Sequence, residues 1–129
     1  MPNVLQAVLL GLAVVLADAH PATAQVTKEE LLAATCYGVN EGRHAAGSSM
    51  AAIFKLNAEQ ARNWLVMRGL IGGQRSEEAR EIVELGIEQG RSAALACTGV
   101  ADTGKPPPTQ DEAAAGCAIV ERCRFWTPD

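Results

Sequence analysis

Residues 76–97 read SEEAREIVELGIEQGRSAALAC, and the order of small, apolar and charged side chains in this stretch decides the fold class. Ala79, Val83, Gly86, Gly90, Ala93 and Cys97 recur at alternating steps of four and three, the period of a helix–helix seam. Ile82, Ile87 and Ala94 flank that seam and widen the apolar arc to roughly 140°. Glu77, Arg80, Glu81, Glu84, Glu88 and Arg91 fall on the other side. Glu77–Arg80, Arg80–Glu84 and Glu88–Arg91 are spaced for helical ion pairs of about 0.2–0.5 kcal/mol each. Ser76 suits the N-cap, and two glutamates in the first turn suit the positive end of the helix dipole. Small seam residues allow a second helix to approach closely, and Cys97 can tether the end covalently. The expectation is an all-α, disulfide-stapled domain.

Working outward, Thr27-Lys28-Glu29-Glu30 reads as a capping box that starts helix one, with Val26 and Leu31 placed as a hydrophobic staple. Its seam runs through Leu32, Cys36, Val39, Arg43 and Ala46. Gly38, Gly42 and Gly47 weaken it, each by around 1 kcal/mol relative to Ala. A break is expected near Gly47-Ser48-Ser49, followed by a short helix to Phe54. Asn57-Ala58-Glu59-Gln60 reads as a second capping box opening helix two, which Ile71-Gly72-Gly73-Gln74-Arg75 ends. Pro106-Pro107-Pro108 makes the next connection stiff. Thr109-Gln110-Asp111-Glu112 is a third capping box, and Phe125-Trp126 is a tail expected to fold back on the core. Four helices with short joints point to an up-down bundle, with helix one broken near Gly47.

Residues 1–24 read as a signal peptide: residues 4–17 are apolar apart from Gln6, and Ala22-Thr23-Ala24 is a fitting cleavage site before Gln25. The apolar run is short for a membrane span, which needs roughly 20 residues, so no stable membrane insertion is expected after cleavage. Removing 24 of the 129 residues leaves a single helical domain, residues 25–129, with His44 as its one histidine. A formal charge of −4 argues against nucleic acid, which calls for a clustered cationic face.

All four cysteines lie in that domain, and an even number in a small exported chain favours two disulfides. The sequence contains no C-x-x-C pair, which argues against a metal site, ordinary haem attachment and thioredoxin-type chemistry; no cofactor is expected. Two cysteines six apart on one continuous helix lie roughly 9 Å apart, beyond disulfide reach. That favours Cys97–Cys117 with Cys36–Cys123. The rival, Cys36–Cys97 with Cys117–Cys123, requires the last helix to end before Cys123.

Four features bear on function. Tyr37, Glu41, His44 and Ser48 share one face of helix one, and Glu41–His44–Ser48 is the one row that could form a hydrolase site, although a polar helix surface is the favoured reading, since the row lies on one helix and no oxyanion hole can be assigned. Arg43 lies on the apolar seam, where it must snorkel, pair, or meet an anion. Gly72-Gly73-Gln74-Arg75 resembles an anion nest, but Glu77 and Glu78 would repel phosphate. Leu85 and Leu95 stand outside the apolar arc of residues 76–97, and together with Trp126 they would mark a partner or homodimer surface. By elimination the reading is an exported, periplasmic or extracellular, protein that binds a protein or cell-envelope component without catalysis. The alternatives are the hydrolase row and a thiol–disulfide exchange protein.

Overall fold

A computed structural model describes residues 25–47, 49–101 and 104–128. The leader (residues 1–24) and Ser48 lie outside the described residues. Four α-helices make up the described chain, and no strand occurs among the described residues: α1 (Lys28–Ala45), α2 (Ala51–Met67), α3 (Glu77–Cys97) and α4 (Gln110–Arg122).

Three of the helix starts follow from side-chain capping. Thr27 Oγ1 accepts from Glu30 N at 3.0 Å while Thr27 N donates to Glu30 Oε1 at 3.0 Å, so both halves of the box form. Thr109 and Glu112 repeat it at 3.2 and 2.9 Å, and Ser76 Oγ caps α3 through Ala79 N at 3.1 Å. The Asn57 box does not start a helix. α2 begins at Ala51 and runs straight through Asn57, and Phe54, Ala58, Ala61 and Leu65 form one buried stripe across that position. No proline or glycine interrupts residues 51–67. A helical Asn costs only a fraction of a kcal/mol (~0.7 at most), less than exposing Phe54 would.

Glycine ends the first three helices. α1 stops at Ala45, with Gly47 at φ +75°. α2 closes with Leu70 N donating to Leu65 O and Gly69 N donating to Val66 O, both at 3.0 Å, around Gly69 at φ +73°. α3 repeats the arrangement around Gly99. Both are Schellman closures.

α1 is the central element. It packs most extensively on α3, then on α2, and meets α4 near the end of that helix; α4 otherwise lies on α3. No Cα atom of α2 lies within 8 Å of one of α3. The α1–α3 contact is made by backbone. A Cβ on Gly38 would stand 1.9 Å from Ile87 O, and one on Gly90 would stand 2.0 Å from Thr35 O. Gly38 and Gly42, which weaken α1 as an isolated helix, are thus places where α3 touches it, whereas Gly47 has open space around it and lies past the end of the helix. Cys36–Cys123 and Cys97–Cys117 are the disulfides, with Cα–Cα distances of 5.3 and 4.6 Å. This connectivity coincides with the one favoured by helix spacing, and Cys123 is the C-cap of α4.

One buried cluster (Ala33, Ala34, Leu65, Leu70, Ala79, Val83) joins α1, α2 and α3, and a second (Cys36, Val39, Ala94, Cys123) joins α1, α3 and α4. Trp126 packs against both, so the tail does fold back. Leu95 corrects the sequence reading: it is 6% exposed, because α4 and Pro106–Pro108 cover the flank of α3 that a single-seam reading leaves to solvent. α3 buries two faces, one against α1 and one against α4. Leu85 is 71% exposed.

Candidate functional site

Because α2 and α3 flank α1 without meeting, a groove opens between them. It holds about 940 Å³. Tyr37 and Glu41 of α1 and Ile87 of α3 lie in it, Arg62 of α2 stands on one side, and the turn residues Leu70, Ile71 and Gly72 close one end. The opposite wall is α3, which contributes Glu77, Glu81, Glu84 and Glu88 at steps of four, three and four, with Leu85 between them.

Charge in the groove is unbalanced, with five carboxylates against the guanidinium groups of Arg62 and Arg80. Two ion pairs expected along α3 are not made: among the described residues no bridge within 4.0 Å joins Arg80 to Glu77 or Glu84, whereas Glu88–Arg91 forms at 3.6 Å. Arg80 is half-buried rather than laid along the helix surface, and its Nε is buried without a hydrogen-bond partner. Burial, then the neighbouring Glu41 carboxylate, pushes the Tyr37 hydroxyl above its ordinary pKa, against the opposing effect of Arg62.

The turn that closes the groove is held by a clamp on a buried carboxylate. Glu30 is 2% exposed and its Oε2 accepts from Arg75 Nη1 at 2.8 Å and from Arg68 Nε at 3.0 Å. Arg75 Nη2 also donates to Glu30 Oε1 at 3.2 Å and to the Gln25 carbonyl. Arg68 stacks on Trp64, with its guanidinium carbon 4.3 Å from the ring centroid. Burial alone would raise the Glu30 pKa. The hydrogen bonds from Arg75, the Thr27 amide and Arg68, with the charge of Arg75, outweigh it and hold the carboxyl at about 2. The residues that resemble an anion nest serve a structural purpose: the 69–75 turn delivers Arg75 to an internal carboxylate. Sequence reasoning missed this clamp. Its one trace is Arg68 and Arg75 on either side of a glycine-rich turn, and nothing local points to Glu30, 38 and 45 residues away.

The hydrolase row is divided. Glu41 sits in the groove near Tyr37, whereas His44 is exposed and its Nδ1 lies 3.1 Å from Ala51 O, bridging the α1–α2 joint. Among the described residues no hydrogen bond joins Glu41 to His44, and Ser48 lies outside them. Arg43 stacks on Phe54, its guanidinium carbon 4.0 Å from the ring centroid. Burial and then the Arg124 charge lower its pKa. The proposed surface of Leu85, Leu95 and Trp126 is not one patch: Leu85 belongs to the groove, Leu95 is buried beside the proline connection, and Trp126 is partly buried against both core clusters. Phe125, at 84% exposed, carries Arg124 over its ring at 5.3 Å.

Among the described residues no group of three or more His, Cys, Asp or Glu could hold a metal ion, and no helix is long and apolar enough to cross a membrane. Comparison with protein-family models gives no match, and neither a curated protein nor a solved structure matches the chain.

Proposed function

We propose that this chain is a small exported helical protein that acts by binding a protein or cell-envelope partner rather than by catalysis, and that the α2–α3 groove is where the partner sits. The observation that carries this reading is the groove itself: α1 is left uncovered between two helices, with Tyr37, Ile71 and Ile87 only partly buried and Leu85 exposed in its lining. An apolar floor with a charged rim is the arrangement of a recognition surface. Two disulfides suit an oxidising compartment and free the scaffold from reliance on a large core, which a chain with 4% aromatic residues does not have.

A photo-crosslinking amino acid at position 85, in cells exporting the protein, is expected to give a discrete higher-mass adduct on irradiation. The same probe at position 59, exposed on α2 outside the groove, is expected to give none. Absence of an adduct at 85, or equal labelling at both positions, overturns the reading.

A further inference from the structure

We infer that the groove seats a cationic amphipathic helix presented by a second, different protein, a statement that rests on the binding reading above. Four observations lead there. First, the place is helix-shaped. α2, α1 and α3 provide two walls and a floor, while the fourth helix of the chain packs on the far flank of α3 instead of closing the gap. A bundle position is thus left open, and helices are what such positions accept.

Second, the glutamates stand in register for a helix. Glu77, Glu81, Glu84 and Glu88 span three turns of α3, about 16 Å at 1.5 Å per residue, with the same four–three–four step that a facing helix would use for its own basic row. Leu85 lies among them as the exposed apolar anchor. Third, the sign of the charge selects the partner. Five carboxylates, of which Glu88 is already bridged to Arg91, against two guanidinium groups favour Lys and Arg, and the same surplus repels anionic lipid and nucleic acid. A second copy of this chain laid groove to groove would set its glutamates against the first set, so a symmetric dimer there is self-repelling.

Fourth, strand addition is closed, since no strand among the described residues offers an edge for main-chain pairing.

The probe is an end-capped amphipathic peptide of about 20 residues, Leu on one face and Lys on the other, labelled for fluorescence anisotropy. Three comparison ligands accompany it: the same composition scrambled to destroy the amphipathic face, a Lys→Glu version, and spermidine. The amphipathic peptide is expected to bind at low salt, to gain helical circular dichroism, and to shift the amide resonances of Ile87 and Leu85. Leu85→Ser and the triple variant Glu81→Gln/Glu84→Gln/Glu88→Gln are each expected to weaken it about tenfold or more, and exposure of all four side chains leaves the fold intact.

Equal binding of the scrambled peptide, or binding unchanged by Leu85→Ser, overturns the inference in favour of unspecific charge attraction. Spermidine matching the peptide overturns it in favour of a small polycation. A dimer in sedimentation that Leu85→Ser dissociates overturns it in favour of a second copy. If the position-85 adduct forms while the amphipathic peptide fails to bind, the binding reading stands and the helical, cationic occupant falls. Failure of both removes the two together.

Discussion

The two flanks of α1 are held by different physics. Towards α3 the contact is backbone on backbone, with Gly38 under Ile87 O and Gly90 under Thr35 O, and with disulfides closing the far side. Towards α2 the contact is side chain on side chain: Phe54, Ala61 and Leu65 bury, Arg43 stacks on Phe54, and Glu30 grips Arg68 and Arg75. The first flank depends on shape and is indifferent to pH and salt. The second depends partly on charge, so solution conditions act on it. The groove exists because α3 is drawn close by glycine while α2 is kept apart by larger side chains.

The largest effect that would break this contrast concerns the covalent side. Replacing Cys36 and Cys123 together by Ala opens a loop with a sequence separation of 87, worth about 4–5 kcal/mol in the chain-entropy account, against about 3 kcal/mol for the 20-residue separation of Cys97–Cys117. Urea midpoints of the two double variants should fall in that order. Equal losses would mean that the long-range staple does not control the α1–α4 junction.

Next comes the glycine seam. Gly90→Ala puts a methyl 2.0 Å from a backbone carbonyl, which cannot move without α1, and should cost about 3 kcal/mol or more. Gly86→Ala is the sharpening partner. Its added carbon meets the Ala34 methyl at 3.2 Å and the end of Leu31 at 3.3 Å, and a helical Ala gains about 1 kcal/mol over Gly, so the net change should be small. Similar losses at both positions, read as thermal midpoints, would show that α1 and α3 are not in backbone contact.

The charged flank should answer to pH. The Glu30 carboxyl is held at about 2, below the ordinary 4.5, so its contribution is fully present above pH 4.5 and is lost as pH falls from there towards 2. The size is on the order of 3 kcal/mol. Glu30→Gln should remove that acid-dependent segment of the stability profile and lower stability at neutral pH by about 3 kcal/mol, since two arginines lose their carboxylate. An unchanged profile would show that Glu30 titrates as an open carboxylate. Smallest of all, His44→Ala removes one exposed side-chain bond to Ala51 O and should change stability by less than about 0.5 kcal/mol.

Local chemistry was the legible part. Thr27, Ser76 and Thr109 announce helix starts because a capping oxygen and its amide lie three residues apart, within one turn. The seam of residues 76–97 was legible because six small or apolar positions keep one phase over five turns. At residues 51–67 the same rules misled. Asn57-Ala58-Glu59-Gln60 has the form of a cap, but nothing local records that Phe54, on the near side of it, has a place to bury. Leu95 failed for a related reason: a single-helix projection assigns one buried face, and α3 has two.

The candidate site was legible only in fragments. In the sequence the glutamates of α3 form the charged side opposite its apolar arc and Leu85 stands outside that arc, and both descriptions hold for the isolated helix. That they line one groove with Tyr37, Arg62 and Ile71 depends on the distance between α2 and α3, which no local spacing encodes.

By itself the sequence determined the helical class, the caps, the seam of α3 and, through the reach of a cysteine pair on one helix, the favoured staples. All of these act over a few residues, where backbone geometry leaves little choice. Tertiary structure alone decided the Glu30–Arg68–Arg75 clamp, the second buried face of α3 and the open place between α2 and α3. Each of those depends on how closely whole helices approach, a quantity set by the packing of every contact along them rather than by any one stretch.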